Sequence, residues 1–162
     1  MIHLKIKEET SVKEIPQIII DYFSGFAVIP NVNFVVAGYA TDEDSIQNQK
    51  LYKVVLSSGR KTIEEIDTAN QGAVWDGEVT TLSRITQDVA LLQNGSYVNF
   101  PHEEILFTHF TLQDAVDFAR FAVETTINTM RFKNVIETVG GAVDILVITP
   151  KETKWLQKAE LH

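Results

Sequence analysis

The chain has 162 residues, enough to bury a sizeable core in a single domain, and 44% of them are hydrophobic. Its 22 acidic residues outnumber 14 Lys and Arg, giving a net charge of −8, so neither a nucleic acid nor an anionic membrane is expected as a partner. The absence of cysteine excludes disulfides, thiolate metal sites and a cysteine nucleophile. The N-terminus is unlike a signal peptide, and no apolar run approaches the ~20 residues of a membrane span, which together predict a cytoplasmic protein.

The first elements predicted along the chain are a strand and an amphipathic helix. Residues 2–7 alternate apolar with polar side chains, which is typical of a strand. Apolar residues recur at helical spacing over residues 11–27. Pro16 favours a regular helix start near Ile15, because proline is tolerated in the first turn of a helix.

An antiparallel hairpin is predicted next. Residues 34–39 form an apolar strand, and the polar stretch 41–50 is expected to be an exposed loop. Residues 51–56 resume as a strand, 57–60 contain a glycine turn, and 61–67 supply the partner strand. The short connection between the last two strands predicts that they pair antiparallel.

The middle of the chain predicts a loop, a helix and a second loop. Residues 69–77 contain two glycines and are expected to be irregular. Apolar residues over 78–92 recur with helical spacing, and Asp76 could cap that helix. The Asn-Gly pair at 94–95 is expected to end the helix, and residues 96–110 are expected to be mostly loop.

The clearest helix is predicted over residues 112–131. Thr111 is a candidate N-cap, and Asp114 stands three residues on, next to the positive end of the helix dipole. The alanines on its apolar face suggest close packing against a sheet or a neighbouring helix. That face comprises Leu112, Ala115, Val116, Ala119, Ala122, Val123, Thr126, Ile127 and Met130. A buried strand over 143–148 follows, and residues 153–160 are expected to form a last strand or short helix.

Candidate ligand residues give weak signals. His102 and His109 stand seven residues apart, which is not the one-turn spacing of a zincin, so two partly exposed loop histidines are the favoured interpretation. Asp42, Glu43 and Asp44 could supply oxygen ligands to calcium, but no EF-hand loop surrounds them. We expect a solvated acidic loop and no metal or cofactor.

The glycine-rich stretches are expected to be structural. Residues 140–141 precede a strand rather than a helix, so they are expected to turn the chain rather than to cradle a phosphate. Gly72 and Gly77 bound a loop that enters a helix, yet Asp76 and Glu78 would repel an anion there. No serine lies in a G-x-S-x-G pattern, and no triad can be read from spacing alone, so no catalytic residue is assigned.

Five stretches taken together, in this order, resemble proteasome subunits and related N-terminal-nucleophile hydrolases. They are the apolar strand 34–39 ending in Ala-Gly-Tyr, the Leu-Tyr hairpin 50–59, the loop 71–77, the helix 111–130 and the Gly-Gly strand 139–149. The resemblance covers about residues 12–150. It implies an α+β fold over 1–162 as a single domain, with antiparallel sheets packed with helices like a truncated αββα sandwich.

The resemblance also implies which catalytic parts are missing. Enzymes of this family use an amino-terminal residue, usually threonine, as nucleophile and its own α-amino group as base. Here the match begins after the strands that would carry that machinery, and the chain starts with Met1. The loop at 72–74 reads Gly-Ala-Val without the family's serine, and Arg131 is followed by Phe132 rather than by an acid. We therefore expect a scaffold without its own nucleophile, which self-associates as family members do.

Two other interpretations stay open. One is an active threonine-type peptidase or amidohydrolase whose catalytic segment lies upstream of Met1. The other, from a different class, is a small-ligand or protein-binding domain unrelated to hydrolases.

Overall fold

The structure, a computed structural model, describes residues 6–41, 47–101 and 103–159. Within these ranges the chain forms three α-helices and seven β-strands. The described residues up to Asn70, with Ile148–Glu152, make one compact unit, and Gln71–Val147 with the residues from Thr153 onward make a second. Two compact units can belong to one domain, so a single domain over 1–162 stays a prediction.

The first unit contains one helix and a three-stranded sheet. Helix α1 spans Ile15–Ser24 and is followed by β1, Val32–Thr41, β2, Gln47–Ser57, and β3, Arg60–Glu65. The predicted helix start is confirmed, since Pro16 lies in the first turn. The helix ends before Gly25 rather than at residue 27. Of the predicted strand 2–7, residues 2–5 lie outside the described residues, and residues 6 and 7 are not in a strand.

The predicted hairpin is confirmed, and its sheet is larger than expected. The strand order is β1-β2-β3 with antiparallel pairing throughout, and β2 pairs with β3 from Tyr52 opposite Glu65 to Ser57 opposite Arg60. The predicted loop 41–50 is partly wrong, because residues 47–50 belong to β2, while 42–46 lie outside the described residues. Residues 47–50 are held in β2 by main-chain pairing with β1. Their side chains are polar throughout, so the sequence pattern did not indicate a strand there.

The core of the first unit lies between α1 and one face of the sheet. Val54 and Leu56 of β2 are 0% exposed. The ring centroids of Phe23 in α1 and Phe34 in β1 are 5.5 Å apart. The other buried hydrophobic residues of this core are Val12, Ile19, Val36, Ala40 and Tyr52. Because alternate side chains of a strand point to opposite faces, the even-numbered residues of β1 and β2 supply this layer.

The second unit begins with a short helix and a hairpin. Helix α2 covers only Thr80–Thr86 and is followed by β4, Val89–Gln93, and β5, Ser96–Phe100. The helix predicted over 78–92 is therefore too long, and the loop predicted over 96–110 holds a strand and a 3₁₀ turn at Phe107–His109. Asp76 does not cap α2, whose N-cap is Val79.

The turn chemistry explains this correction. Asn94 has φ 50° and Gly95 has φ 79°, so both central residues of the turn lie in the left-handed region. Such a pair forms the two-residue turn that matches the twist of an antiparallel hairpin. The Asn-Gly pair therefore joins β4 to β5, where Gln93 stands opposite Ser96, instead of ending a helix.

The long helix is confirmed in position and in its start signal. Helix α3 spans Leu112–Met130. The Thr111 Oγ1 accepts a hydrogen bond from the Asp114 N–H at 3.2 Å, and the Asp114 carboxylate accepts one from the Thr111 N–H at 2.8 Å. This reciprocal pair is a capping box, which satisfies two N–H groups that the helix itself cannot.

The predicted apolar face of α3 is only partly buried. Val116, Thr126 and Met130 are buried, whereas the exposed members of that face are Leu112, Ala115, Ala119 and Val123. Val116 shares a buried cluster with Val143 and Ile145. Helical periodicity identifies an apolar stripe. How many residues of that stripe are buried depends on which other elements pack against it.

The last elements are two paired strands, β6, Ile145–Ile148, and β7, Thr153–Gln157. Strand β6 confirms the strand predicted over 143–148. The segment 153–160, predicted as a strand or a short helix, is a strand over its first five residues. The Thr149 N–H donates to the Glu152 carbonyl at 2.8 Å in the connecting turn. Gly141, with φ 91°, lies between α3 and β6.

The coarse fold prediction is confirmed, since the described residues combine helices with small antiparallel sheets. The layered αββα arrangement stays a prediction. No helix in the described ranges is long and apolar enough to cross a membrane.

Candidate functional site

An open cleft of about 570 Å³ lies at the end of the β2–β3 hairpin in the first unit. Residues 48–50 of β2 form one wall, and residues 65–69 after β3 form the other. On one side of the cleft, residues 48–50 stay in the sheet because they pair with β1. On the other side, the chain leaves the sheet after β3 ends at Glu65, and this divergence opens the cleft. Six of the eight lining residues have polar side chains, of which one is basic and two are acidic.

Hydrogen bonds link several polar groups of this cleft to one another. The Lys50 Nζ donates to the Glu65 Oε1 at 2.5 Å, and the Thr68 hydroxyl donates to the Gln49 carbonyl at 2.9 Å. The Asp67 carboxylate accepts from the Ala69 N–H at 2.9 Å. Because these contacts hold the walls together, the cleft is a small polar surface rather than a set of groups that converge on a ligand.

The ion pair changes the basicity of Lys50. The hydrogen bond with Glu65 raises the pKa of the Lys50 ammonium above its ordinary 10.5, and the charge of Glu65 acts in the same direction. A raised pKa keeps the amine protonated at neutral pH, which makes Lys50 a poor general base. The Thr68 hydroxyl donates its hydrogen bond to the Gln49 carbonyl, so it is not paired with a base that could activate it.

A hydroxyl and an amine also meet in the second unit. Thr81 in α2 is 7% exposed, and its Oγ1 accepts a hydrogen bond from the Lys133 Nζ at 3.3 Å. An activated hydroxyl donates a hydrogen bond to a base, whereas this hydroxyl accepts one from the amine. The contact therefore ties α2 to the end of α3, next to buried Leu82 and Met130.

The third hydroxyl beside a charged group is Thr111. Its Oγ1 donates to the Asp114 carboxylate at 2.6 Å. The hydrogen bonds from the Thr111 hydroxyl and N–H lower the pKa of the Asp114 carboxyl below its ordinary 3.8. A carboxylate with a lowered pKa is a weaker base, so this exposed pair caps α3 and is not poised for proton abstraction.

The predicted ligand residues are not brought together. His109 is exposed at the end of the 3₁₀ turn, whereas His102 and the acids at 42–44 lie outside the described residues. Across residues 6–41, 47–101 and 103–159, no cluster of three His, Cys, Asp or Glu side chains could hold a metal ion.

The loop before α2 has its N–H groups occupied by its own acids. The Asp76 carboxylate accepts from the Gly77 N–H at 2.7 Å, and the Glu78 carboxylate accepts from the Thr80 N–H at 3.3 Å. Gly77 has φ 86°, a conformation that L side chains rarely adopt. These contacts agree with a structural turn and leave the N–H groups of Gly77 and Thr80 without room for an anion.

Two positions that carry the resemblance have clear structural roles. A Cβ added to Gly38, within the Ala-Gly-Tyr end of β1, would lie 3.1 Å from the Val12 Cγ2, so glycine lets the preceding segment pack closely. Gly141 turns the chain between α3 and β6 with its positive φ. The loop 72–74 is exposed, and Phe132 is 87% exposed.

No family model, curated protein or solved structure matches this chain. The relation to N-terminal-nucleophile hydrolases therefore rests on the residues quoted above and stays a prediction.

Sequence reasoning missed both the cleft and the Thr81–Lys133 contact. The cleft depends on residues 48–50 being in a strand, which their polarity did not indicate. Thr81 and Lys133 are 52 residues apart, and no spacing rule relates two residues at that separation. The capping box at Thr111 was predictable, because its two residues are three apart.

Proposed function

We propose that this chain is a proteasome-like protein with the scaffold of an N-terminal-nucleophile hydrolase and without a catalytic nucleophile of its own. It acts as a non-catalytic subunit or as the C-terminal portion of a hydrolase, and it self-associates into a homo-oligomer. This proposal includes the αββα layering that the resemblance implies.

The observation that carries the proposal is the succession of α3, a glycine turn and β6. The helix begins at a capping box, a left-handed glycine redirects the chain, and Val143 and Ile145 pack back on Val116. The same order of helix, Gly-Gly and apolar strand is the strongest part of the resemblance. Its hydrogen bonds and packing support a scaffold that has kept its structural residues.

The lack of a nucleophile is supported by the chemistry of the described hydroxyls. The loop 72–74 offers no serine, and the position after Arg131 is an exposed phenylalanine instead of an acid. Thr68 and Thr111 hold structural hydrogen bonds, and the Thr81 hydroxyl accepts a hydrogen bond from the Lys133 amine. Among these three, only Thr111 donates to a carboxylate, and the lowered pKa of that Asp114 carboxyl makes it a weak base.

An experimental structure of the full chain tests the scaffold. Two antiparallel sheets stacked between helical layers are expected. A different layering, with the sheets separated by helices or not stacked at all, would contradict the family assignment whether or not the protein is an enzyme.

The polar cleft favours a second candidate, a domain that binds a small polar ligand. Its volume of about 570 Å³ is within the range of ligand sites. Against this function, Lys50 already bonds to Glu65, and Thr68 already bonds to the Gln49 carbonyl. Chemical-shift changes confined to residues 48–50 and 65–69 on titration with small polar compounds would favour it. A flat response at those residues would rule it out.

A further inference from the structure

The β4–β5 hairpin is uncharged in a strongly acidic protein. Residues 89–100 include neither an acidic nor a basic side chain, whereas the whole chain carries a net charge of −8. Two copies of this chain repel each other wherever their acidic surfaces approach. A neutral hairpin is therefore a surface at which two copies can meet without that cost.

The hairpin also has little support from the rest of the described chain. Nine of its ten strand residues are exposed, and Val89 is the half-buried exception. The large exposed hydrophobic residues are Leu91, Leu92, Tyr97, Val98 and Phe100. An isolated two-stranded hairpin is marginally stable in water, so this one needs a further strand or layer to be well formed.

The outer edge of β4 is unprotected. Among the strands that the structure describes, β4 pairs only with β5, and their register runs without a bulge from Val89 opposite Phe100 to Gln93 opposite Ser96. Proteins usually blunt an open edge with a lysine, a proline or a bulge, because its free N–H and C=O groups invite another strand. Strand β4 has none of these.

We infer that two copies of this chain pair through their β4 strands, antiparallel, to make one four-stranded sheet. Centred on Leu91, this pairing places Leu91 of one copy opposite Leu91 of the other and Ala90 opposite Leu92. The arrangement is self-complementary, as the interface of a twofold dimer must be. The apolar face of each hairpin then continues across the dimer through Leu91, Val98 and Phe100.

Strand β4 fits a second copy better than other exposed surfaces do. Four of its five residues are apolar, whereas β5 includes Ser96 and Asn99. Two of the four exposed residues in the stripe of α3 are alanines, and the stripe lies beside acidic residues such as Asp117. Small side chains bury little apolar area, and the main-chain hydrogen bonds of a strand edge have no equivalent on a helix.

This inference deepens the self-association within the proposed function and names its interface. The pairing does not depend on the missing nucleophile. A monomeric protein without activity would overturn the pairing but not the scaffold assignment. Conversely, a dimer with amide-hydrolysing activity would overturn only the claim about the nucleophile.

The test is sedimentation velocity of the full chain from micromolar to the highest attainable concentration. We expect wild type to shift with concentration from the 18.2 kDa monomer to a species of twice that mass. Leu91→Glu and Leu91→Lys are each expected to stay monomeric, because the pairing would set like charges directly opposite each other. An equimolar mixture of the two variants is expected to form the dimer again through opposite charges.

Leu146→Glu is the matched control. Leu146 is 40% exposed in β6 and Leu91 is 53% exposed in β4, so both substitutions place a glutamate on an exposed position of a strand in a two-stranded sheet. Leu146→Glu should dimerise like wild type. A wild type that is monomeric throughout, a Leu91→Glu variant that still dimerises, or a mixture that stays monomeric would each overturn the pairing.

Discussion

Thr111 shows how a single hydroxyl in this protein serves structure. Its Oγ1 accepts from the Asp114 N–H at 3.2 Å and donates to the Asp114 carboxylate at 2.6 Å. Both contacts stabilise the first turn of α3, the helix whose inner face packs on β6. The same residue types would be candidates for acid–base chemistry if they converged in a closed cleft, but here they lie exposed at a helix end.

Replacing the cap is expected to destabilise the protein. Thr111→Ala removes the side-chain acceptor for the Asp114 N–H, and such a loss costs about 1 kcal/mol of unfolding free energy. Urea unfolding followed by circular dichroism measures it. Thr138→Ala, at an exposed threonine in the irregular segment after α3, is the control and should leave the midpoint unchanged. Equal effects of the two substitutions would show that the cap contributes nothing.

The same contacts predict a pH dependence. The Thr111 hydroxyl and N–H lower the pKa of Asp114 below its ordinary 3.8. A carboxyl with a lowered folded-state pKa contributes stability that is fully present above 3.8 and is lost as pH falls through the folded-state pKa. NMR titration of the Asp114 side chain should give a midpoint below 3.8, and Thr111→Ala should move it upward. A midpoint unaffected by that substitution would contradict the assigned cause.

Among the elements, the succession of α3, a glycine turn and β6 is the part on which the family assignment depends most. Gly140 and Gly141 are adjacent, and a Cβ added to either meets no atom within 4 Å. They differ in backbone conformation, since only Gly141 has a positive φ, at 91°. Conformation rather than space therefore decides which of the two must be glycine.

Substitution of the two glycines should separate their roles. Gly141→Ala forces an L side chain into the left-handed region at a cost of about 1–2 kcal/mol. Gly140→Ala should be neutral, or stabilising by up to ~1 kcal/mol, because it restricts the unfolded chain. Thermal unfolding of both variants measures the difference. A Gly140→Ala variant that is as destabilised as Gly141→Ala would remove the argument for a required turn.

The elements also show what the sequence could predict. Helix α3 and the β2–β3 hairpin were predictable, because a capping box and a glycine turn are local signals that tertiary packing reinforced. Helix α2 was predicted too long because Val89 and Leu92 fit a helical period, while the Asn-Gly pair two residues later is a strong hairpin signal. The cleft could not be predicted, because it depends on pairing between strands instead of side-chain pattern.

At the scale of the whole molecule, the net negative charge opposes self-association, whereas the exposed β4–β5 hairpin favours it. A net charge of −8 keeps copies of the chain apart, while the uncharged residues 89–100 offer one surface for association. This surface was not predicted, because residues 89–92 were interpreted as helix and 96–110 as loop despite the Asn-Gly pair between them. The alanine-lined face of α3 was instead predicted to pack closely against a sheet or a neighbouring helix, and its Ala115 and Ala119 are exposed.

The central claim is that the scaffold carries no activated hydroxyl. Intact mass spectrometry of the purified full chain, after incubation with a β-lactone that acylates nucleophilic threonine and serine, tests it most directly. An active N-terminal-threonine hydrolase treated in parallel shows that the reagent works. The expected result is an unchanged mass of 18.2 kDa. A single adduct that maps to one Ser or Thr, and that disappears together with amide hydrolysis when that residue is replaced by alanine, would contradict the account.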